Sequence, residues 1–330
     1  MTYELTYYIF LIVIGLLLCI KEIKSTSLYN IITFTLFFIF AAITRYSGFD
    51  IDINTYAKSL HYIDNFSAYY LREPVYWISS RYIYLITQSY ETTFLFYDSI
   101  AIILILYARK NFSFPQYFPY LFFLFFPSVM GLNNVYRQYL TYVLFIFFLS
   151  ITLTKPSSLI KRSLFSLIVI LTHNVAALFI PIFFINRKIP SKYRIIRIIL
   201  YIGILIGLPI ALATKSNVNT GYVDSELYIF AIFCFLIFIL ISHKFLLRHK
   251  DVILYTFFVY SLILLIMSID LVGSAQSKRI GMFILILLLI PLTKVVDTHF
   301  KQKNIARSII YIILVMPTLI FSSSRMMLLT

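Results

Sequence analysis

Arginines, carboxylates and one histidine stand out in this chain because nearly everything around them is hydrocarbon. Residues 44–56 read TRYSGFDIDINTY, 72–77 read REPVYW, 133–138 read NNVYRQ, 172–174 read THN and 278–279 read KR. Guanidinium is permanently charged and offers a planar fork of donors, which suits it to phosphate. Arg45, Arg137 and Arg279 each stand at the end of an apolar run. Three such groups at one depth can converge on a diphosphate. A departing diphosphate needs positive charge, and the hydroxyl that displaces it needs a base. Asp50, Asp52, Glu73 and His173 are the candidate bases.

Each of these residues also has a plainer reading. The arginines can snorkel to lipid phosphates and anchor their helices. Asp52 or Asn54 can cap a helix over TYAKSLHYI. His173 can be a hydrogen-bonded packing residue, although an ionisable group at membrane depth is a functional candidate by default. The run Asp50-Ile-Asp52 is a D-x-D, a pattern that holds a divalent metal in many glycosyltransferases. No third ligand stands beside it. The expectation is a metal-independent reaction without cofactor, with a divalent ion at Asp50 and Asp52 as the alternative. There is no Gly-rich phosphate loop, no G-x-S-x-G and no H-E-x-x-H.

The elements that must position these groups are membrane spans. The chain has 330 residues, 61% of them hydrophobic and 12% charged, with a mean hydropathy of +0.91. No soluble core can hide so many apolar runs of about 17 residues or more. Leu5 to Ile20 reads as a span and not as a signal peptide, because it lacks a basic start and a small-residue cleavage site. Cys19 and Cys234 fall inside spans, which excludes a disulfide framework and a Cys-based metal site. The spans are expected near 4–20, 28–44, 92–108, 117–130, 138–154, 195–214, 227–246, 252–269, 280–296 and 308–324. The expected fold is therefore an all-α integral membrane protein of about 10 to 12 transmembrane helices, a single polytopic domain over residues 1–330.

Two further segments are ambiguous. Residues 74–88 repeat polar groups at Tyr76, Ser80, Tyr84 and Gln88, which gives an amphipathic helix with one wet face, only partly inserted. Residues 163–186 read either as a re-entrant hairpin turning at Thr172–Asn174 or as one span with a polar kink. If neither segment crosses fully, 19 of the 28 Lys and Arg lie in loops on one side, which becomes the cytoplasm. If both cross, the chain has twelve spans. The net charge of +15 thus reports topology, and no nucleic-acid partner is implied. The longest loop, residues 45–91, then lies outside, and so does the chemistry.

In this order the motifs resemble the Wzy/EpsG-type polysaccharide polymerases of bacterial O-antigen, capsule and exopolysaccharide synthesis. Arg45, Gly48, Asp52 and Tyr56 match one block of the family pattern; Glu73, Pro74 and Tyr76 match a second. Arg137 and Gln138 match a third, and His173 a fourth. Val75 stands where the family has Gly, and Asp52 lies two residues further from Gly48 than the pattern has it, leaving Asp50 as a rival match. The resemblance implies a GT-C-like membrane glycosyltransferase in the bacterial inner membrane with its site facing the periplasm. It would move a growing glycan from undecaprenyl diphosphate onto a new lipid-linked repeat unit, a step in polysaccharide and lipopolysaccharide biosynthesis. Arg45, Arg137 and Arg279 would hold the diphosphates of donor and acceptor. Asp52, Asp50 or His173 would take the hydroxyl proton. Tyr56, Arg72, Glu73, Tyr76, Asn134, Gln138 and Lys278 would line the sugar and substrate site. Partners would be the two lipid-linked oligosaccharides, membrane lipid and a chain-length regulator. An O-antigen ligase or a lipid-linked glycan flippase are the rival readings; a flippase needs functional groups through the bilayer middle, whereas these clusters crowd one face.

Overall fold

The computed structural model describes residues 2–48, 51–61, 68–185, 224–244 and 247–329, with isolated positions between 195 and 207. Among the described residues there is no strand. The chain opens with α1 (Tyr3–Ile20) and α2 (Thr26–Tyr46), followed by α3 (Ile51–Ser59), α4 (Ala68–Leu71), α5 (Pro74–Thr87) and α6 (Tyr90–Phe112). Next come α7 (Phe118–Leu124), α8 (Phe126–Asn133), α9 (Tyr136–Thr154), α10 (Leu159–Thr172) and a 3-10 helix over Asn174–Phe184. The remaining described helices are α11 (Ser225–Ser242), α12 (His249–Val272), α13 (Ser274–His299), α14 (Lys303–Ile320) and α15 (Ser322–Met327). Eight helices among the described residues are long and apolar enough to cross a membrane: α1, α2, α6, α9, α11, α12, α13 and α14. The protein is a multi-pass membrane protein.

The faces of α1 show why these runs suit lipid. Tyr8, Leu11, Gly15 and Leu18 are buried, while Phe10, Val13, Leu17 and Ile20 face outward. Both stripes follow helical spacing, but the outward one is as apolar as the inward one, as a lipid-facing surface must be. Gly15 is where α14 comes close: a Cβ there would run into the Tyr311 ring and Tyr120.

The apolar run 117–130, expected as one span, forms two short helices parted at Phe125, whose backbone is extended (φ −68, ψ 138). Pro127 is the cause. It has no N–H to bond the carbonyl four residues back, and its ring collides with that carbonyl in a continuous helix. The break frees the Leu124 carbonyl, which is satisfied by the Tyr8 hydroxyl at 2.6 Å and Thr318 Oγ1 at 3.1 Å. The expected span 195–214 lies outside the described residues apart from isolated helical positions.

Packing divides the chain into two compact units, Met1–Asn174 with Gln302–Thr330, and Val175–Lys301. In the first, α6 packs on α2, α5 and α9, while α9 also meets α8 and α10. α1 packs on α2, α7 and α14, and α5 lies against α4 and α10. In the second unit α13 packs on both α11 and α12, and Gly281 lets α13 approach Tyr228 closely.

Candidate functional site

Three helix ends of the first unit meet at one carboxylate. α5 starts at Pro74, whose ring presets a helical φ and whose missing N–H would have had no partner in the first turn. Glu73 occupies the N-cap position (φ −136, ψ 58) but makes no capping bond to its own helix. Its carboxylate turns instead to the two other helix ends. Arg137, the second residue of α9, donates from Nη1 to Glu73 Oε2. His173 ends α10 in an extended conformation (φ −157, ψ 126), with Nδ1 2.7 Å from Glu73 Oε1. The Asn174 backbone N–H, at the start of the 3-10 helix, donates to the same oxygen at 3.0 Å. It is one of the donors that a helix start leaves without an intrahelical partner.

The cluster is nearly dry. Side-chain exposure is 5% for Glu73, 10% for His173 and 13% for Arg137. Burial alone would raise the Glu73 carboxyl above its ordinary value. The hydrogen bond and charge of His173, the charge of Arg137 and the Asn174 N–H outweigh burial and bring it down to about 2. Glu73 is therefore an anion at neutral pH. With Nδ1–H of His173 donated to it, loss of the ring's other proton leaves the lone pair on Nε2.

Aromatic rings wall the guanidinium. Arg137 Cζ lies 5.1 Å from the Tyr56 ring, carried by α3, and 5.0 Å from Trp77, on α5. Tyr56 meets Tyr76 and Trp77 edge-on at 6.2 and 5.8 Å. Among the described residues, the buried Tyr76 hydroxyl and Asn133 Nδ2 find no hydrogen-bond partner. Buried polar groups are nearly always satisfied, so the Tyr76 hydroxyl, whose ring meets the Tyr56 and Trp77 rings that flank Arg137, marks capacity for a ligand.

A second charged pair lies alongside. Arg45, at the end of α2, meets Asp98 of α6 through Nε at 2.7 Å and Nη2 at 3.2 Å. Its Nη1 donates to the Leu132 carbonyl at 3.1 Å, and the Tyr136 hydroxyl donates to Asp98 Oδ1 at 2.8 Å. The Tyr136 ring lies 6.4 Å from Tyr76, so the two clusters share an aromatic wall.

Of the residues singled out in the sequence, the structure brings Glu73, Arg137, His173, Tyr56 and Tyr76 together. Arg72 is exposed beside Glu73, and Asn134 is half-buried at the end of α8. Gln138 is buried, its Nε2 donating to the Tyr142 hydroxyl one turn on. Asp52 is half-buried in the first turn of α3, and Asp50 lies outside the described residues. Lys278 and Arg279 are half-buried near the start of α13, in the second unit. Among the described residues no three His, Cys, Asp or Glu side chains are grouped as metal ligands. Asp98, Trp77, Tyr136 and Asn174 were not among the expected site residues. Asp98 carried a signal, since an acid inside an apolar span requires a partner. So did Trp77, the one Trp of the chain.

A helical multi-pass membrane protein with a buried glutamate–arginine–histidine cluster at its helix ends is the class that this fold and site define. The chain belongs to the EpsG family, whose model matches residues 28–328. That membership supports polysaccharide-polymerase-type activity. No curated protein and no solved structure matches the chain.

Proposed function

We propose that this protein is a polysaccharide polymerase of the bacterial inner membrane, working at the periplasmic face. It transfers a growing glycan from undecaprenyl diphosphate onto the sugar of a new lipid-linked repeat unit. The observation that carries the reading is the meeting of Arg137 and His173 on Glu73. The acceptor hydroxyl oxygen attacks the anomeric carbon of the donor glycan, and the bond from that carbon to the diphosphate oxygen breaks. His173 takes the hydroxyl proton on Nε2, with Asp52 and Asp50 as the other candidate bases. The imidazolium so formed draws on the Glu73 charge, which leaves Arg137 to the departing diphosphate. Tyr76 and Asn133 offer hydrogen bonds to sugar or phosphate, and Tyr56 and Trp77 offer stacking faces. Asn134 and Arg72 line the approach, and Gln138, buried against Tyr142, supports it from behind. Arg279 and Lys278 serve a substrate diphosphate, an assignment resting on the sequence pattern. The reaction uses no metal, because arginines supply the positive charge.

The topology belongs to the same proposal. α5 has 14 residues, about 21 Å at helical rise, too short for a hydrocarbon core of about 30 Å. It is read as partly inserted. α10 stops at His173 and is followed by a 3-10 helix, which suits a re-entrant hairpin over 163–186. The Lys and Arg bias of the loops supports a cytoplasmic position for the other face.

The test is reconstitution of the purified protein in vesicles with a lipid-diphosphate-linked repeat unit, with and without chelator. A product ladder that survives chelation is expected. A ladder lost with chelator and restored by a divalent ion would transfer the leaving-group role to a metal at Asp50 and Asp52. Movement of the lipid across the vesicle wall without a ladder would make the protein a flippase.

A further inference from the structure

We infer that Arg45 and Asp98 form a positioning clamp that sets Arg137, and that Arg45 does not itself touch the substrate diphosphate. The inference rests on the transfer reaction proposed above for Arg137. All three Arg45 nitrogens are committed within the protein: Nε and Nη2 to Asp98 at 2.7 and 3.2 Å, Nη1 to the Leu132 carbonyl at 3.1 Å. The side chain is 1% exposed, against 13% for Arg137. The planar fork that would grip a phosphate is already filled by a carboxylate of the same geometry.

What the pair holds is the joint between α8 and α9. Leu132 sits in the last turn of α8, and its carbonyl is one that a helix end leaves without an intrahelical partner. Tyr136 is the first residue of α9. Its hydroxyl donates to Asp98 Oδ1 at 2.8 Å and lies 3.1 Å from the Phe94 carbonyl, while Arg45 Cζ sits 4.7 Å over its ring. One ion pair thus grips both ends of the stretch Leu132–Tyr136, and Arg137 is the next residue. Apolar residues would fill this volume equally well, since a buried ion pair is a weak source of stability. What the pair adds is direction: five polar atoms fix how α9 begins, and so where the Arg137 guanidinium points.

Tyr136→Phe is the mildest test, because it removes only the hydroxyl and keeps the ring. In reconstituted vesicles, per folded molecule, it is expected to lower kcat about tenfold with KM for the lipid-linked unit within about twofold, as for a small misplacement of a reacting group. Arg45→Met leaves Asp98 buried and unpaired, so the double variant Arg45→Met/Asp98→Leu is expected to be more active than Arg45→Met alone. A tenfold rise of KM at unchanged kcat in that double variant would show Arg45 on the diphosphate and overturn the clamp. Wild-type kcat per folded molecule in both variants would reduce the pair to packing. Hydrogen exchange reads the clamp without substrate and keeps it testable if wild-type protein makes no polymer. Tyr136→Phe should speed exchange over residues 133–138 roughly tenfold or more, leaving 140–154 unchanged. Unchanged exchange over that joint overturns the inference whatever reaction the protein catalyses.

Discussion

Glu73→Gln isolates the charge at the meeting point of the three helix ends. Glutamine keeps the shape and one carbonyl oxygen, which can still accept from His173 and the Asn174 N–H. Its amide then faces Arg137 Nη1, donor against donor. The direct loss is one charge-assisted hydrogen bond, about 1.5–3 kcal/mol. A buried charge stripped of its partner costs about 3–5 kcal/mol. Arg137 keeps the faces of Tyr56 and Trp77, so the expected cost lies near 2–3 kcal/mol by the hydrogen-bond figure. Expressed fully in the transition state, this is about a 30- to 150-fold loss of kcat. Because the folded carboxyl is depressed, its stabilisation is complete above the ordinary value of 4.5 and lost as pH falls towards about 2. Thermal unfolding in detergent should therefore show a wild-type advantage over Glu73→Gln that closes as pH falls from about 5 towards 2. A variant that turns over within about twofold of wild type, or a stability gap that persists unchanged to pH 3, would refute the reasoning.

Arg137→Ala is expected to abolish chain extension with protein level unchanged, read as a gel ladder beside an immunoblot. Arg137→Lys keeps the charge without the fork and should lose at least about tenfold in kcat. Gly131→Ala would place a Cβ 2.8 Å from Tyr139 Cβ and 3.3 Å from Tyr139 Cα, so α8 and α9 must part. A cost of about 1–3 kcal/mol should appear as a lower Tm in detergent. Tyr8→Phe removes one of the two donors to the Leu124 carbonyl and should cost about 1 kcal/mol. Combining it with Thr318→Val should cost more than the sum, because the buried carbonyl is then unsatisfied; strict additivity would count against this role for the carbonyl.

The long helices were legible because apolar length is a local property: α1, α2, α6, α9 and α11 to α14 fall on the runs read from the sequence. The break in the run 117–130 is not legible from hydropathy, which is continuous there, because Pro127 interrupts the hydrogen-bond ladder without lowering it. The site was legible as residue types and only partly as a constellation. Glu73 lies 64 residues from Arg137 and 100 from His173, so no local spacing links them. By sequence Arg45 is equivalent to Arg137, since one closes an apolar run and the other opens one. Their surroundings differ because α2 packs on α6, which brings Asp98 to Arg45 across 53 residues. Periodicity gave α5 its wet face, but not that Tyr76 and Trp77 would wall a guanidinium from another helix.

The measurement that bears most directly on the proposed reaction is the stoichiometry of carrier release. Reconstituted protein would be given a lipid-diphosphate-linked repeat unit, and glycosidic bonds and freed undecaprenyl diphosphate would be counted in one sample. The expected result is one carrier diphosphate released per bond formed, with both counts lost together in Arg137→Ala. Polymer without carrier release, or full release and extension in Arg137→Ala, would contradict a diphosphate-displacing transfer at this cluster.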